Sequence, residues 1–282
     1  MFSKCLGKFP LDIDNLYADL AQLHESDYIP AYSEYTIGSW RTAILMNQEG
    51  DSSSGEVIEY AGSAQATPLA KKLPHIMQVL SETFNMATIK LARIATIKKY
   101  GLILPHIDFV TFSKPCKRYN IALISNDRCI SIEEQTAYSM RSGEIWDLDA
   151  THPHSAANFS DEDRVSLIID LEPIDNEKDY FNHPDKLAAA EPIRFIEREP
   201  LPAELKEHYL ALAALMTRHN YRDILAMVAK LPFLWQMELT DVFEITQQIC
   251  HRSGDRLLID NIAKTKHAFL HERATDPVSG IL

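Results

Sequence analysis

Basic residues are in deficit in this chain. It carries 28 Lys and Arg against 40 Asp and Glu in 282 residues, a formal net charge of −12. Such a surface repels phosphate backbones and anionic lipid, which argues against nucleic acid and membrane surfaces as partners. Cysteine is scarce as well: Cys5, Cys116, Cys129 and Cys250 show no CxxC spacing and no dense framework. Unpaired thiols in a reducing cytoplasm fit that pattern better than a secreted disulfide scaffold. Long apolar runs are missing; none approaches the roughly 20 residues of a membrane span. The opening MFSKCLGKFPLDIDN has no uninterrupted apolar core of the kind a signal peptide needs. Also absent are GxGxxG and GxxxxGK[ST] sequences, internal repeats and low-complexity tracts, so nothing supports a Rossmann or P-loop reading.

What is present is globular text, 46% hydrophobic and 24% charged, long enough for one sizeable domain with an appendage. Leu16, Leu20 and Leu23 recur at helical spacing and predict a helix over 12–26, and 35–45 (YTIGSWRTAIL) turns β-rich. The Ser-, Gly- and Glu-rich 50–66 reads as a loop, and Leu69, Leu73, Ile76 and Leu80 predict a helix over 68–84. Between 89 and 171 come short runs: IKLARIATI, GLILPHIDFVTF, RYNIALI, AYSM, GEIWDLD and VSLIIDLE. Many short strands separated by turn-like groups predict an antiparallel sandwich or barrel. A Pro- and charge-rich connector covers 173–202. Beyond it apolar stripes (Leu205, Tyr209, Leu212, Leu215; Ile224, Met227, Val228, Leu231) and later segments over 238–253 and 255–273 predict helices. The expected architecture is α+β: a helix-flanked β-core in 1–185 and a C-terminal helical domain in 186–282.

The chemistry concentrates at Pro105-His106-Ile107-Asp108, at the end of an apolar strand. Residues i and i+2 of a strand share a face, so His106 and Asp108 can offer an imidazole nitrogen and a carboxylate oxygen to one ion. A third ligand about 40 to 60 residues on would complete a small-barrel site, and His154 in THPHSAANF is so placed. Two histidines and a carboxylate on one side of iron leave positions open for a bidentate keto acid and O2. HxD is a common tripeptide on its own; Arg164, ten residues past His154, is what gives it weight. A guanidinium is a planar fork matched to the distal carboxylate of 2-oxoglutarate. His152 is the rival third ligand, restricted by Pro153, and the spacing to Arg164 favours His154.

The stretch from Arg93 to Asp170 resembles the bacterial free-proline hydroxylases, cis-3 and cis-4 types, within the aspartyl/asparaginyl β-hydroxylase-like group. The likeness is carried by LARI at 91–94, ILPHIDF at 103–109, MRSGEIW at 140–146, LDA…PHSA…F at 148–159, Arg164 and the Ile169-Asp170 ending. Weaker similarity runs through both flanks, including YRDILAMVAKL at 221–231. The resemblance implies a double-stranded β-helix (jelly-roll, cupin-like) core, with Fe(II) on His106, Asp108 and His154 and 2-oxoglutarate on Arg164. It further implies hydroxylation of an unactivated C–H bond in a free L-amino acid, with O2 consumed, succinate and CO2 released, and ascorbate as the reductant in vitro.

In the resembling hydroxylases, arginines at the positions of Arg93 and Arg118 are candidates for the substrate carboxylate. Arg93 points where Leu91, Ala95 and Ile97 point, and an inward charge is costly unless paired. Arg118 shares a face with Asn120; for both arginines a structural ion pair is the alternative. Trp146, on one face with Glu144 and Leu148, either walls the pocket or fills the barrel. The resembling enzymes carry His where this chain has Asn120, Asp where it has Ile124 and Phe where it has Asp147. Those departures leave proline, pipecolate and lysine open as substrates, with Asp147 either meeting a cation or merely solvated. The competing readings are an aspartyl or asparaginyl hydroxylase acting on a protein or peptide, and a non-catalytic cupin-like metal-binding module. A homodimer built on the C-terminal helices is a further expectation.

Overall fold

The computed structural model describes residues 1–30, 33–108 and 116–271. Its strands, numbered along the chain, begin with β1 (Lys4–Lys8), β2 (Ile29–Pro30), β3 (Thr36–Ile37), β4 (Trp40–Asn47) and β5 (Gln65–Ala66). The core strands follow: β6 (Ile89–Ile97), β7 (Leu102–His106), β8 (Lys117–Ile124), β9 (Cys129–Glu133) and β10 (Thr136–Ser139). Then come β11 (Glu144–Leu148), β12 (His154–Asn158), β13 (Arg164–Leu171) and β14 (Arg194–Phe195). The helices are α1 (Ile13–Leu20), α2 (Pro74–Thr83), α3 (Ala203–Leu210), α4 (Tyr221–Ala229), α5 (Leu231–Leu234), α6 (Asp241–Ser253) and α7 (Arg256–Leu270).

The strands form two antiparallel sheets. The larger runs β1-β11-β8-β13-β6-β4-β2, with β5 on β4; the smaller runs β14-β10-β9-β12-β7-β3. From β7 to β13 the chain passes back and forth between them, which is the jelly-roll arrangement of a double-stranded β-helix. Strand alternation then sorts the side chains. On the larger sheet Ala92, Ile94, Tyr119, Ile121, Ile145, Leu167 and Ile169 face outward, into a core shared with Leu16 of α1 and Ile76 and Leu80 of α2. On the smaller sheet Leu102, Leu104, Ile132 and Ala157 face a core built with Leu225, Phe243, Ile262 and Phe269 of the C-terminal helices. The inner faces of both sheets carry the polar and charged residues of the site.

Helix ends follow local chemistry. The segment expected as one helix over 68–84 is split: Pro68–Lys72 is a 3-10 turn, and Pro74 opens α2. Proline lacks the N–H that a continuous helix would use there, and its fixed φ suits a first turn. The helix expected over 12–26 stops at Leu20, because Glu25–Asp27 forms its own 3-10 turn. Between α6 and α7 the chain turns through Gly254 at φ 75°, and the Asp255 carboxylate caps α7 by accepting from the Leu257 N–H. Phe109 to Phe112, expected to continue the strand after Asp108, and Arg273, expected to end the last helix, lie outside the described residues. No helix among the described residues is long and apolar enough to cross a membrane.

Candidate metal centre and the charged inner face

His106 is the last residue of β7, and the register pairs it across the sheet with His154, the first residue of β12. Asp108 lies two residues beyond His106. One ligand atom from each of the three lies within 4.8 Å of the others, so they could hold a metal ion. His106 Nε2 is 3.3 Å from Asp108 Oδ1, and the two imidazole centroids are 4.3 Å apart. Each ring is aimed by its own backbone. His106 Nδ1 is 2.9 Å from the Leu104 carbonyl and His154 Nδ1 is 3.0 Å from the His152 carbonyl. Those carbonyls accept only if Nδ1 is the protonated nitrogen, which turns the Nε2 lone pairs toward the cluster.

The protonation states suit a cation. Burial, helped by the neighbouring His106, lowers the His154 pKa to about 4, so that imidazole is neutral at physiological pH. Burial alone would raise the Asp108 carboxyl; the Arg118 guanidinium, with His106 and His154, outweighs it and holds the group well below the usual carboxylate range. The neutral His154 imidazole, the His106 imidazole and one carboxylate form a donor set that a divalent iron fits.

The C-terminal helices reach this site. The Ile107 N–H, between the two ligands of the HxD sequence, donates to the Phe269 carbonyl at the end of α7, 2.9 Å away. The Phe269 ring stacks on Tyr35 with centroids 4.2 Å apart, and Tyr35 packs on His106 at 5.1 Å. Nothing in the local sequence signals these long-range contacts. His152 is elsewhere: its ring stacks on Phe2 at 3.7 Å, outside the cluster.

Opposite the cluster, β13 places Arg164, Ser166, Ile168 and Asp170 on one inner face. Arg164 is 4% exposed. Its Nη2 donates to Ser131 Oγ at 2.8 Å and lies 3.7 Å from the Met140 sulfur, while Nη1 donates to the Ile130 carbonyl at 3.2 Å. Among the described residues it has no carboxylate in ion-pair range. Burial accordingly pulls its pKa below the usual value.

At the other end of the strand the charges are matched. Asp170, completely buried, accepts from Arg118 Nε at 2.6 Å and lies 3.2 Å from Arg93 Nη1. Arg118 Nη1 also pairs with Asp108. Burial would lower the Arg118 pKa, but Asp170 and Asp108 reverse the effect and hold it above the ordinary value. Asp170 is the residue whose role sequence reasoning missed, although alternation from Arg164 puts it on the same face as the inward arginines. A cleft of about 510 Å³ opens here, lined by Asp108, Arg118 and Asp170 among others.

Trp146 is fully buried, stacks on Tyr138 with centroids 4.7 Å apart and donates to Glu144 at 3.0 Å. It fills the barrel interior beside Ala122 and Met140. Asp147 is not solvated: it faces outward and pairs with Lys117 at 2.7 Å.

A jelly roll carrying this donor set on one sheet and a buried, unmatched guanidinium on the other is the frame of a 2-oxoglutarate-dependent non-haem iron hydroxylase. The chain belongs to the aspartyl/asparaginyl β-hydroxylase family, whose model matches residues 12–173. The model of the L-proline 3-hydroxylase C-terminal region matches residues 177–277. The chain is 30% identical to an L-proline cis-4-hydroxylase of Rhizobium meliloti (strain 1021), with 97% of each chain covered. It is 29% identical to an L-proline cis-3-hydroxylase of a Streptomyces species, again over 97% of both chains.

Proposed function

We propose that the protein hydroxylates an unactivated C–H bond of a free L-amino acid of the proline, pipecolate or lysine type, with 2-oxoglutarate as cosubstrate. His106, Asp108 and His154 would hold Fe(II), Arg164 the distal carboxylate of 2-oxoglutarate, and Arg93 and Arg118 the substrate carboxylate, with Trp146 closing the pocket from within. The observation that carries this reading is Arg164, a buried guanidinium aimed into the barrel with no carboxylate of the described chain in reach. A buried unpaired cation is costly, and a dicarboxylate cosubstrate supplies the missing charge. The relatives named above, both hydroxylases of L-proline, support a free amino acid as the substrate.

Bound iron supplies the redox chemistry, in which O2 and 2-oxoglutarate give succinate and CO2 while one oxygen atom enters the substrate C–H bond. The chain's own residues bind, orient and exclude water. Leu104 and His152 fix the imidazole tautomers through their carbonyls. Arg118 keeps Asp108 ionised and so available as a ligand. Asp170 holds Arg93 and Arg118 together, which sets the direction from which a carboxylate approaches. No side chain need act as a general acid or base. Four free cysteines fit the cytoplasm as the location.

The test is succinate formation by the protein supplied with Fe(II), ascorbate, 2-oxoglutarate and single free amino acids. Turnover is expected with at least one of proline, pipecolate and lysine, and none is expected from His106→Ala, which should also bind metal at least about tenfold more weakly. Unchanged turnover by that variant would remove the assignment of the metal site.

A further inference from the structure

On the inner face of the larger sheet the buried Arg93 Nε and Asn120 Oδ1 have no hydrogen-bond partner among the described residues, while Arg93 Nη1 and Asp170 Oδ2 have only each other, 3.2 Å apart in their ion pair. Leaving such an atom unmet costs about 1–3 kcal/mol, so a group of them in one place marks where something else binds. The set contains both donors and acceptors. 2-Oxoglutarate at neutral pH carries acceptors only, so it could satisfy the guanidinium but not the Asn120 oxygen. A ligand that brings N–H groups is required. Asp170 already has its charge balanced by the two arginines, which leaves the Asn120 amide oxygen as the uncommitted acceptor.

The register fixes where Asn120 stands. Ile44, Arg93, Ile168, Asn120 and Trp146 form one continuous row across β4, β6, β13, β8 and β11. Arg93 and Asn120 flank Ile168, roughly 9–10 Å apart as two strand spacings. A long guanidinium on one side and a short amide on the other can lean toward each other over the apolar Ile168. That arrangement matches an α-amino acid, with its carboxylate toward Arg93, its protonated amine toward Asn120 and its hydrocarbon on Ile168.

Building on the hydroxylase reading above, we infer that Asn120 is the specificity-determining acceptor of this site, taking a hydrogen bond from the α-amino or ring imino group of a zwitterionic amino acid. The consequence is discrimination by nitrogen. A cyclic imino acid whose nitrogen is acylated, inside a peptide or at its C-terminus, has no N–H to offer, so the site selects the form with a free nitrogen. Sites built to pair a buried polar group reject analogues that lack the matching one.

The experiment is calorimetric binding to the full chain loaded with Fe(II) and 2-oxoglutarate without oxygen. Three probes are each compared with a counterpart lacking the α-nitrogen: L-proline with cyclopentanecarboxylate, L-pipecolate with cyclohexanecarboxylate, L-lysine with 6-aminohexanoate. Wild type should prefer at least one amino acid over its counterpart by about 10- to 100-fold, the span of a hydrogen bond to a charged group. Asn120→Ala should erase that preference, weakening the amino acid alone and leaving the counterpart and 2-oxoglutarate as in wild type. Should Ala fold poorly, the near-isosteric Asn120→Leu should show the same selective loss. The inference is overturned if wild type shows no preference in any of the three pairs, if the variant keeps the preference, or if it weakens both members equally. A wild type that shows the preference yet forms no succinate in air would contradict the hydroxylase reading and leave the Asn120 assignment standing.

Discussion

Arg164 and the Arg93–Asp170–Arg118 cluster occupy the two ends of one inner face, and both bury guanidinium groups, yet their surroundings differ in charge. Arg164 donates to a carbonyl and a hydroxyl and touches a thioether sulfur. Arg118 binds two carboxylates, one of them completely buried. The physical signature follows: burial lowers the pKa of Arg164, whereas Asp170 and Asp108 overcome burial and raise that of Arg118. A buried cation left unmatched depends on a bound anion for its countercharge, whereas Arg118 is held in place by its carboxylates and meets a substrate already oriented.

Three substitutions test that difference. The largest effect on folding belongs to Asp170→Ala, which strands the buried Arg93 guanidinium and takes one of two carboxylates from Arg118, and should destabilise the protein by about 3–5 kcal/mol in chemical denaturation. Arg164→Met should do the reverse in the ligand-free protein. Removing an unmatched buried charge for an apolar chain of similar volume should leave the melting temperature unchanged or higher. The same variant should raise KM for 2-oxoglutarate about 100-fold, since it loses a forked, charge-assisted contact, and should abolish any thermal stabilisation by the cosubstrate. If Arg164→Met instead costs as much ligand-free stability as Asp170→Ala, the two ends are alike and the distinction collapses. The smallest effect is expected from Asp147→Asn. Lys117 keeps Glu177 as a second partner, so stability should change by only about 1 kcal/mol.

Much of this contrast could be read from the sequence. β6, β8, β11 and β13 are visible as short apolar runs, alternation puts Arg93 on the face of Leu91, Ala95 and Ile97 and Arg118 with Asn120, and Arg164 stands out by its spacing from His154. His106 and Asp108 followed from their i, i+2 spacing. Other elements were not visible. β1 (KCLGK), β9 (CISIE) and β12 (HSAAN) are five residues each, and two of them contain glycine or alanine pairs that favour no sheet; their pairing is decided by neighbours far along the chain. His154 therefore looked like a residue after a strand, whereas it opens one. The C-terminal helices showed their apolar stripes, but not that the Phe269 carbonyl would hold the Ile107 N–H between two metal ligands. The role of Asp170 needed the register of β13 against both β6 and β8, which no local pattern encodes.

The most direct measurement of the central claim is isotopic. The protein, supplied with Fe(II), ascorbate, 2-oxoglutarate and isotopically labelled O2, is given free proline, pipecolate or lysine, and the products are weighed by mass spectrometry. The account requires an amino-acid product heavier by one labelled oxygen atom, with succinate formed alongside it. Labelled product from peptides alone, or 2-oxoglutarate left unconsumed with every free amino acid, would contradict it.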